Sequence, residues 1–549
     1  MKSYYFHFLR VAVCSLALCA LCARAAAQEE FRTYVDLHVN SLTRPFYAQD
    51  SIDGVKYNLW EQINHECGAE RSTEIMGAIG INVPKVSQSN FEEMMRGNVR
   101  LFCLTLSPIE QQFIINNTYL TDKNKRATLA CIYGWYGSQL LLRSREIDYF
   151  QVLTQQIHYI QQHEGKPYYI NGKPHTYKII RTKADIDSVL NNPQMLGVVL
   201  CVEGTHSIGH SVYIANIDLA TSATSQPSEI EREYQEVLQD NIARLKGLQP
   251  LAYTQNTYLN APVFYMTLAK TFPNGLYGAS LSFNRAQLTY ISRPNDIGLP
   301  ASKLGKKVVE LLVSGAGERK PIYADIQHLS LEARKSFYAQ NDRASLVGGE
   351  VPIIASHTGI SGLDWESPLY KKKDDENKNN NEYLNHWQQN LGKQDIEKIA
   401  EYKGLIGITL DKTVLGGALS LRRISDALPN TTRKRAACLE LFLANVFKIV
   451  QVLNKKQAWD IIALGSNFDA LNEVLDAYPT ARHLRNLHSD IQTFLDNPYP
   501  IAPDATGLTV AEINRLKFGY TGIEIADKIL WKNSLLFLRQ HLNEKPLRQ

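Results

Sequence analysis

Pro321-Ile-Tyr-Ala-Asp-Ile-Gln-His328 and Pro352-Ile-Ile-Ala-Ser-His357 are two short apolar runs, each opened by proline and closed by histidine. Two further runs end in the same kind of residue. Thr33-Tyr-Val-Asp-Leu-His38 closes on an imidazole, and Leu196-Gly-Val-Val-Leu-Cys-Val-Glu203 closes on a carboxylate. The runs are continuous rather than alternating, as strands buried on both faces are. Strands that end in His and Glu, one after another along a chain, are how a (β/α)₈ barrel builds a metal site on its C-terminal rim. Imidazole nitrogen and carboxylate oxygen are the ligands a zinc-like ion takes.

Working outward from these runs, four more strand-like stretches complete a set of eight: Asn98 to Leu106, Pro250 to Asn256, Gly404 to Leu410 and Asp460 to Asn467. Helical patterns separate them, among them Ser228 to Leu248, Ser330 to Leu346, Lys393 to Lys403 and Thr432 to Leu453. The last carries Leu439, Phe442, Val446, Ile449, Val450 and Leu453 in one broad apolar stripe. Strand alternating with helix predicts a parallel sheet. No GxGxxG follows any strand, which argues against a dinucleotide fold. The expectation is an α/β chain with one TIM-type (β/α)₈ barrel over residues 28–549. Insertions fall near 40–97, 107–195, 360–392 and 471–518. The polar run Lys371 to Asn381 reads as a solvated loop on the catalytic face.

The N-terminus reads as a leader. Lys2 and Arg10 precede an apolar stretch from Val11 to Ala23, followed by Ala25-Ala-Ala27, the pattern of a secretory signal over residues 1–27. Export to a periplasm or outside the cell follows from it. The alternative is a lipid anchor through Cys19 or Cys22. Leu18 and Leu21 weigh against it, because a small residue usually precedes the modified cysteine. Removing Lys2, Arg10 and Arg24 with the leader lowers the formal charge from +4 to +1, which gives no sign of nucleic acid as a partner. A small peptide-like substrate is the expected partner, with peripheral membrane association and a homodimer left open. Cys67, Cys103, Cys131, Cys201 and Cys438 remain, an odd set with no CxxC spacing and so no disulfide scaffold. Cys201 and Cys438 read as buried small hydrophobes, and one bridge among Cys67, Cys103 and Cys131 stays open.

At the site itself, Asp36, His38 and Asn40 fall on one side of a strand. Asn40 offers a metal an uncharged amide oxygen. Glu203 precedes Gly204, where the chain can turn off sharply while the carboxylate bridges two ions. His206 and His210 follow in the loop and read as surface histidines. His328 and His357, on adjacent strands, are placed to share one ion.

With these pieces in this order, the chain resembles the membrane (renal) dipeptidase family of zinc metallopeptidases, among the amidohydrolase-like barrels. The matching motifs are Asp36-Leu-His38, Glu203-Gly204, Asp325-Ile-Gln-His328-Leu-Ser330, Ser356-His357-Thr358, Gly404-Leu-Ile-Gly-Ile408, Gly465-Ser-Asn-Phe-Asp469 and Ile525 to Asn533. The resemblance implies a zinc-dependent barrel that hydrolyses dipeptides, often with a D-residue at the C-terminal position. It implies two ions, with His38 and residue 40 on one, His328 and His357 on the other, and Glu203 bridging; the expectation for this chain is one or two zinc ions. Metal-activated water would attack the scissile carbonyl.

The chain departs from that pattern at four polar positions. Asn40 stands for an Asp, and Asn467 for the Asp that moves the proton. Gln255 aligns with a substrate-polarising His, and Gln389 with an Arg that grips the substrate carboxylate. Asn exchanges no proton, and losing a general acid/base costs about 10²–10⁴ in rate. Asp469, two residues beyond Asn467, is the candidate replacement acid. Two expectations follow: a dipeptidase-like hydrolase with altered chemistry, or a catalytically impaired relative that keeps the pocket to bind small peptides or cell-wall fragments.

Overall fold

The computed structural model describes residues 33–48, 58–63, 86–112, 146–222, 226–251, 257–272, 274–281, 298–314, 321–348, 351–370, 381–429, 431–470 and 473–547. The leader, Cys67, Cys131, Gln255 and nearly all of the polar run 371–381 lie outside the described residues.

Ten strands occur among the described residues: β1 (Tyr34–Val39), β2 (Val99–Leu106), β3 (Tyr168–Ile170), β4 (Lys173–Ile179), β5 (Met195–Glu203), β6 (Val263–Thr267), β7 (Tyr323–Asp325), β8 (Ile354–Thr358), β9 (Leu405–Ile408) and β10 (Ile462–Leu464). Eight of them pair in the order β1-β2-β5-β6-β7-β8-β9-β10, every pair parallel. The ring closes beyond β10, where Phe468 bridges Val39 of β1 in parallel. There the Asn40 amide donates to the Phe468 carbonyl at 2.9 Å, and the Asn467 amide to the His38 carbonyl at 3.0 Å. This is a (β/α)₈ barrel. β3 and β4 form an antiparallel hairpin within the second insertion, and β4 runs parallel to β5 outside the ring.

One expected strand is corrected. The fourth barrel strand is Val263–Thr267, not Pro250 to Asn256. Pro250 instead makes an antiparallel bridge to Tyr258. The physical reason is burial on both sides. All five residues of β6 are buried, whereas the earlier run ends in Thr-Gln-Asn, which a doubly covered strand would have to satisfy away from water.

The helices lie where the apolar spacing puts them, and their ends are capped as the sequence allows. Ser228 opens Glu229–Leu245 by accepting from the Glu231 amide, while the Glu231 carboxylate returns to Ser228. Thr431 caps Thr432–Leu453, which ends on left-handed Asn454 at φ 43°. That helix is long and apolar enough to cross a bilayer, but 72% of its most apolar window is buried within the molecule. A core cluster draws on all eight barrel strands, with Leu101, Cys103, Val199, Cys201, Tyr265 and Ile354 among its members. Leu535 and Leu538 of the last helix, Asn533–His541, join it. Cys103, Cys201 and Cys438 are buried free thiols, in agreement with the small-hydrophobe reading of the latter two.

Candidate metal centre

Parallel strands bring their C-terminal ends to one rim. β1 delivers His38, β5 ends on Glu203, and β8 carries His357. His328 is not the last residue of a strand. It stands three residues beyond β7, at φ 67°, in the left-handed region. Asn467 and Asp469 follow β10 at φ 60° and 63°. Such backbone costs roughly 1–2 kcal/mol per residue and clusters where a site needs a side chain aimed. Gly204 (φ 90°) is required outright, because a Cβ there would lie 2.4 Å from the His206 ring.

The four expected ligands converge. Glu203 Oε1 lies 3.3 Å from His328 Nε2, 3.7 Å from His357 Nε2 and 3.9 Å from His38 Nε2. His328 Nε2 and His357 Nε2 are 3.1 Å apart. Ligand atoms about 2.1 Å from a tetrahedral zinc are about 3.4 Å from each other. The triangle of His328, His357 and Glu203 therefore has the edges of a zinc tetrahedron.

The polar network behind the rings turns the right nitrogens inward. Asp325 accepts from Ser356 Oγ at 2.6 Å, from Thr267 Oγ1 at 2.6 Å, and from the Ser356 and Gln327 amides at 3.0 and 3.1 Å. The single Ser356 hydroxyl proton thus goes to Asp325, so Oγ accepts from His357 Nδ1 at 2.8 Å and from His38 Nδ1 at 3.1 Å. Tyr265 likewise donates to the Leu37 carbonyl and accepts from His38 Nδ1, both at 2.9 Å. His38 and His357 therefore present bare Nε2 lone pairs to the centre. One proton on His328 Nε2 could satisfy only one of its two acceptor neighbours, whereas a divalent cation satisfies all of them. The residues fit a metal ion, and the shell behind His38 and His357 is the kind that fixes metal-ligating imidazoles, whereas His328 Nδ1 is buried with no hydrogen-bond partner among the described residues.

The electrostatics agree. Burial holds His38 down to about 3, and burial with the neighbouring His38 and His328 rings holds His357 well below the usual imidazole range. Burial opposes ionisation of Glu203. The Lys270 ammonium and the His328, His38 and His357 rings outweigh it and keep the carboxyl well below the usual range. Neutral imidazoles and an ionised carboxylate are the forms a metal binds. Burial raises Asp325, against its four donors. His38, Asp325 and His357 also group closely enough to hold an ion, but both Asp325 oxygens are committed to those donors.

Lys270 closes no strand-like run in the sequence. Its Nζ lies 3.0 Å from Glu203 Oε2 and donates to Ser107 Oγ. It stands three residues after Thr267, as His328 stands three after Asp325, and Thr267 pairs with Asp325 in register. With β6 correctly placed, that repeated spacing would have revealed it.

Other expected residues take different places. The Asn40 amide lies 3.3 Å from His38 Nε2, 3.0 Å from Thr105 Oγ1 and 3.2 Å from Asn467 Oδ1, so both amides reach the centre's edge. Asp469 is engaged elsewhere, at 3.2 Å from Arg44 Nε and accepting from the Gln88 and Ser89 amides at 3.0 and 2.9 Å. Gln389 is buried, and its Nε2 has no hydrogen-bond partner among the described residues. His206 is buried, not a surface histidine. Its Nε2 meets the Pro108 carbonyl at 2.9 Å because the Gly204 turn folds the ring inward. His210 caps Ser211–Asn216 by accepting from the Val212 amide.

No family model matches the chain, and no curated protein matches it in sequence. Several solved structures are similar. A dipeptidase described as a metallopeptidase is 11% identical at a TM-score of 0.45, covering 94% of this chain and 99% of that one. A metallopeptidase from Rhodobacter sphaeroides, liganded with a phosphinate mimic of L-Ala-D-Ala, is 11% identical at 0.44, covering 93% and 99%. A probable dipeptidase from Pseudomonas aeruginosa is 12% identical at 0.42, covering 91% and 98%.

Proposed function

We propose that the chain is an exported, zinc-dependent hydrolase that cleaves the amide bond of a dipeptide or a related small peptide-like substrate. The observation that carries this reading is the triangle of His328 Nε2, His357 Nε2 and Glu203 Oε1, with its zinc-sized edges and with the His357 lone pair oriented through Ser356. The motif resemblance supplies the reaction class. A bound zinc would supply an activated water and a Lewis acid for the scissile carbonyl. The chain's own residues do the rest. His328, His357 and Glu203 hold the ion, Asp325 and Ser356 keep His357 in the binding tautomer, and Lys270 places a fixed positive charge beside Glu203.

A second reading is favoured by one specific observation. Asn467 stands where the resemblance puts the proton-transferring acid and accepts a hydrogen bond from the Asn40 amide, and Asp469 is tied to Arg44. The described residues thus show no free carboxylic acid at the rim to serve the leaving amine. On that reading the chain binds small peptides or cell-wall fragments without cutting them.

The test is elemental analysis of the purified mature protein, followed by turnover of a dipeptide panel that includes C-terminal D-residues. Stoichiometric zinc with measurable, metal-dependent hydrolysis is expected. Zinc without turnover would replace hydrolysis by binding. No zinc after add-back would refute the metal centre.

A further inference from the structure

Glu203 is a two-ended ligand whose ends face different partners. Oε1 faces the histidines, at 3.3 Å from His328 and 3.7 Å from His357. Oε2 faces Lys270 Nζ at 3.0 Å. In a two-ion centre the bridging carboxylate gives one oxygen to each cation, and the ions sit about 3.5–4 Å apart. Here the oxygen that would meet the second ion already meets an ammonium.

The lysine is built into that place. Its Nζ also donates to Ser107 Oγ, and Ser107 Oγ donates to the Glu203 carbonyl at 3.1 Å. The backbone that follows is pinned by Glu110, whose carboxylate accepts from the Phe272 amide at 2.8 Å and the Thr271 amide at 3.3 Å. On the other side of the centre, His38 is accompanied by the Asn40 amide, which brings no charge whichever way its amide is turned. Two divalent ions would therefore face one ionised carboxylate with an ammonium beside it.

We propose that the Lys270 ammonium is the second cation of this centre, so that the chain binds a single divalent ion, on His328, His357 and Glu203 Oε1. This rests on the metallohydrolase reading and narrows it. Lys270 is a permanent part of the fold, held at the position a second ion would take, and it excludes that ion by charge and by occupancy of Glu203 Oε2.

The test counts ions and needs no turnover. Zinc per chain is measured by elemental mass spectrometry after equilibrium dialysis for the wild type, Asn40→Asp, and Asn40→Asp with Lys270→Met. One ion is expected for the first two and two for the third. Cobalt loading of the wild-type chain is the companion measurement, and an uncoupled high-spin signal that saturates at one equivalent is expected. Two ions in the wild type or in Asn40→Asp, or a spin-coupled cobalt pair in the wild type, would overturn the proposal while leaving the hydrolase reading in place. No ion in the wild type would overturn both. If the double variant fails to fold, the wild-type count and the cobalt spectrum still decide.

Discussion

Replacing Ser356 with alanine tests whether the hydroxyl behind the rings sets the metal affinity of the centre. Ser356 is fully buried and touches no expected position for the ion. Its Oγ donates to Asp325 at 2.6 Å and accepts from His357 Nδ1 at 2.8 Å and His38 Nδ1 at 3.1 Å. His38 Nδ1 keeps Tyr265 at 2.9 Å, and Asp325 keeps Thr267 and two amides. The loss therefore falls on His357. An orphaned buried N–H costs roughly 1–3 kcal/mol, and a hydrogen bond to a carboxylate about 1.5–3. The apo variant should lose about 3–5 kcal/mol in a urea titration. Freed of its acceptor, His357 can also move its proton to Nε2, where the ion would bind. Loss of such a supporting group weakens metal binding about 10–100-fold. Competition against a chromophoric chelator measures that. A folded variant with zinc affinity within about twofold of wild type would refute the orienting role, because fixed tautomers are what Ser356 is argued to provide.

Three other perturbations separate the remaining roles. Asp469→Asn should cost roughly 3 kcal/mol in denaturant, because it strips the charge from a buried pair with Arg44, and should leave zinc affinity alone; lost affinity at unchanged stability would refute this. Asn467→Asp should raise dipeptide turnover by about 10² or more if the pocket is otherwise intact, because it restores a proton-transferring acid, and no gain would mean the pocket has been rebuilt for binding. In the apo chain, His38 and His206, held by burial to about 3 and about 4, lose stability for the fold as pH drops below about 6.5, where the unfolded chain takes up protons. Asp36 and Glu110, held up to about 7 by burial, act oppositely, because the fold keeps protons that the unfolded chain releases above about pH 4.5. These two pairs oppose each other between about pH 4.5 and 6.5, so Glu110→Gln should add about 1.4 kcal/mol per pH unit to the slope, in the direction of stability rising as pH rises; an unchanged profile in urea melts would refute the Glu110 contribution.

Seven of the eight barrel strands and the convergence of His38, Glu203, His328 and His357 were legible because both come from local runs. A strand covered on both faces must be apolar throughout, and a rim ligand must stand at or just past its end. β6 was misread because Pro250-Leu-Ala-Tyr offers the same apolar opening sooner after the preceding helix. That error hid Lys270, which is recognisable only by its spacing from Thr267. Ser356 carries no signal in sequence beyond adjacency to His357; its role depends on Asp325 from the neighbouring strand. The burial of His206 and the diversion of Asp469 to Arg44 are equally non-local. Asp469 bonds to Gln88 and Ser89 across 381 and 380 positions, which no periodicity reports.

On the proposed single-ion reading, the amides at 40 and 467 and the lysine act together. Two divalent ions about 3.5 Å apart repel by roughly 20 kcal/mol at an effective dielectric near 20. Several carboxylates must offset that repulsion. With Asn at 40 and 467, the offset at the rim falls to Glu203, and a second ion loses its electrostatic support. Without a second ion, Glu203 Oε2 is a buried anionic oxygen in need of a partner, and an unpaired buried charge is costly. Lys270, with its Nζ 3.0 Å away and its own side chain 22% exposed, meets that need without desolvating a free ion. A carboxylate restored at position 40 while Lys270 remains would face an ammonium across Glu203 rather than a vacant ligand position. The order of reversal therefore matters, and the lysine has to go first.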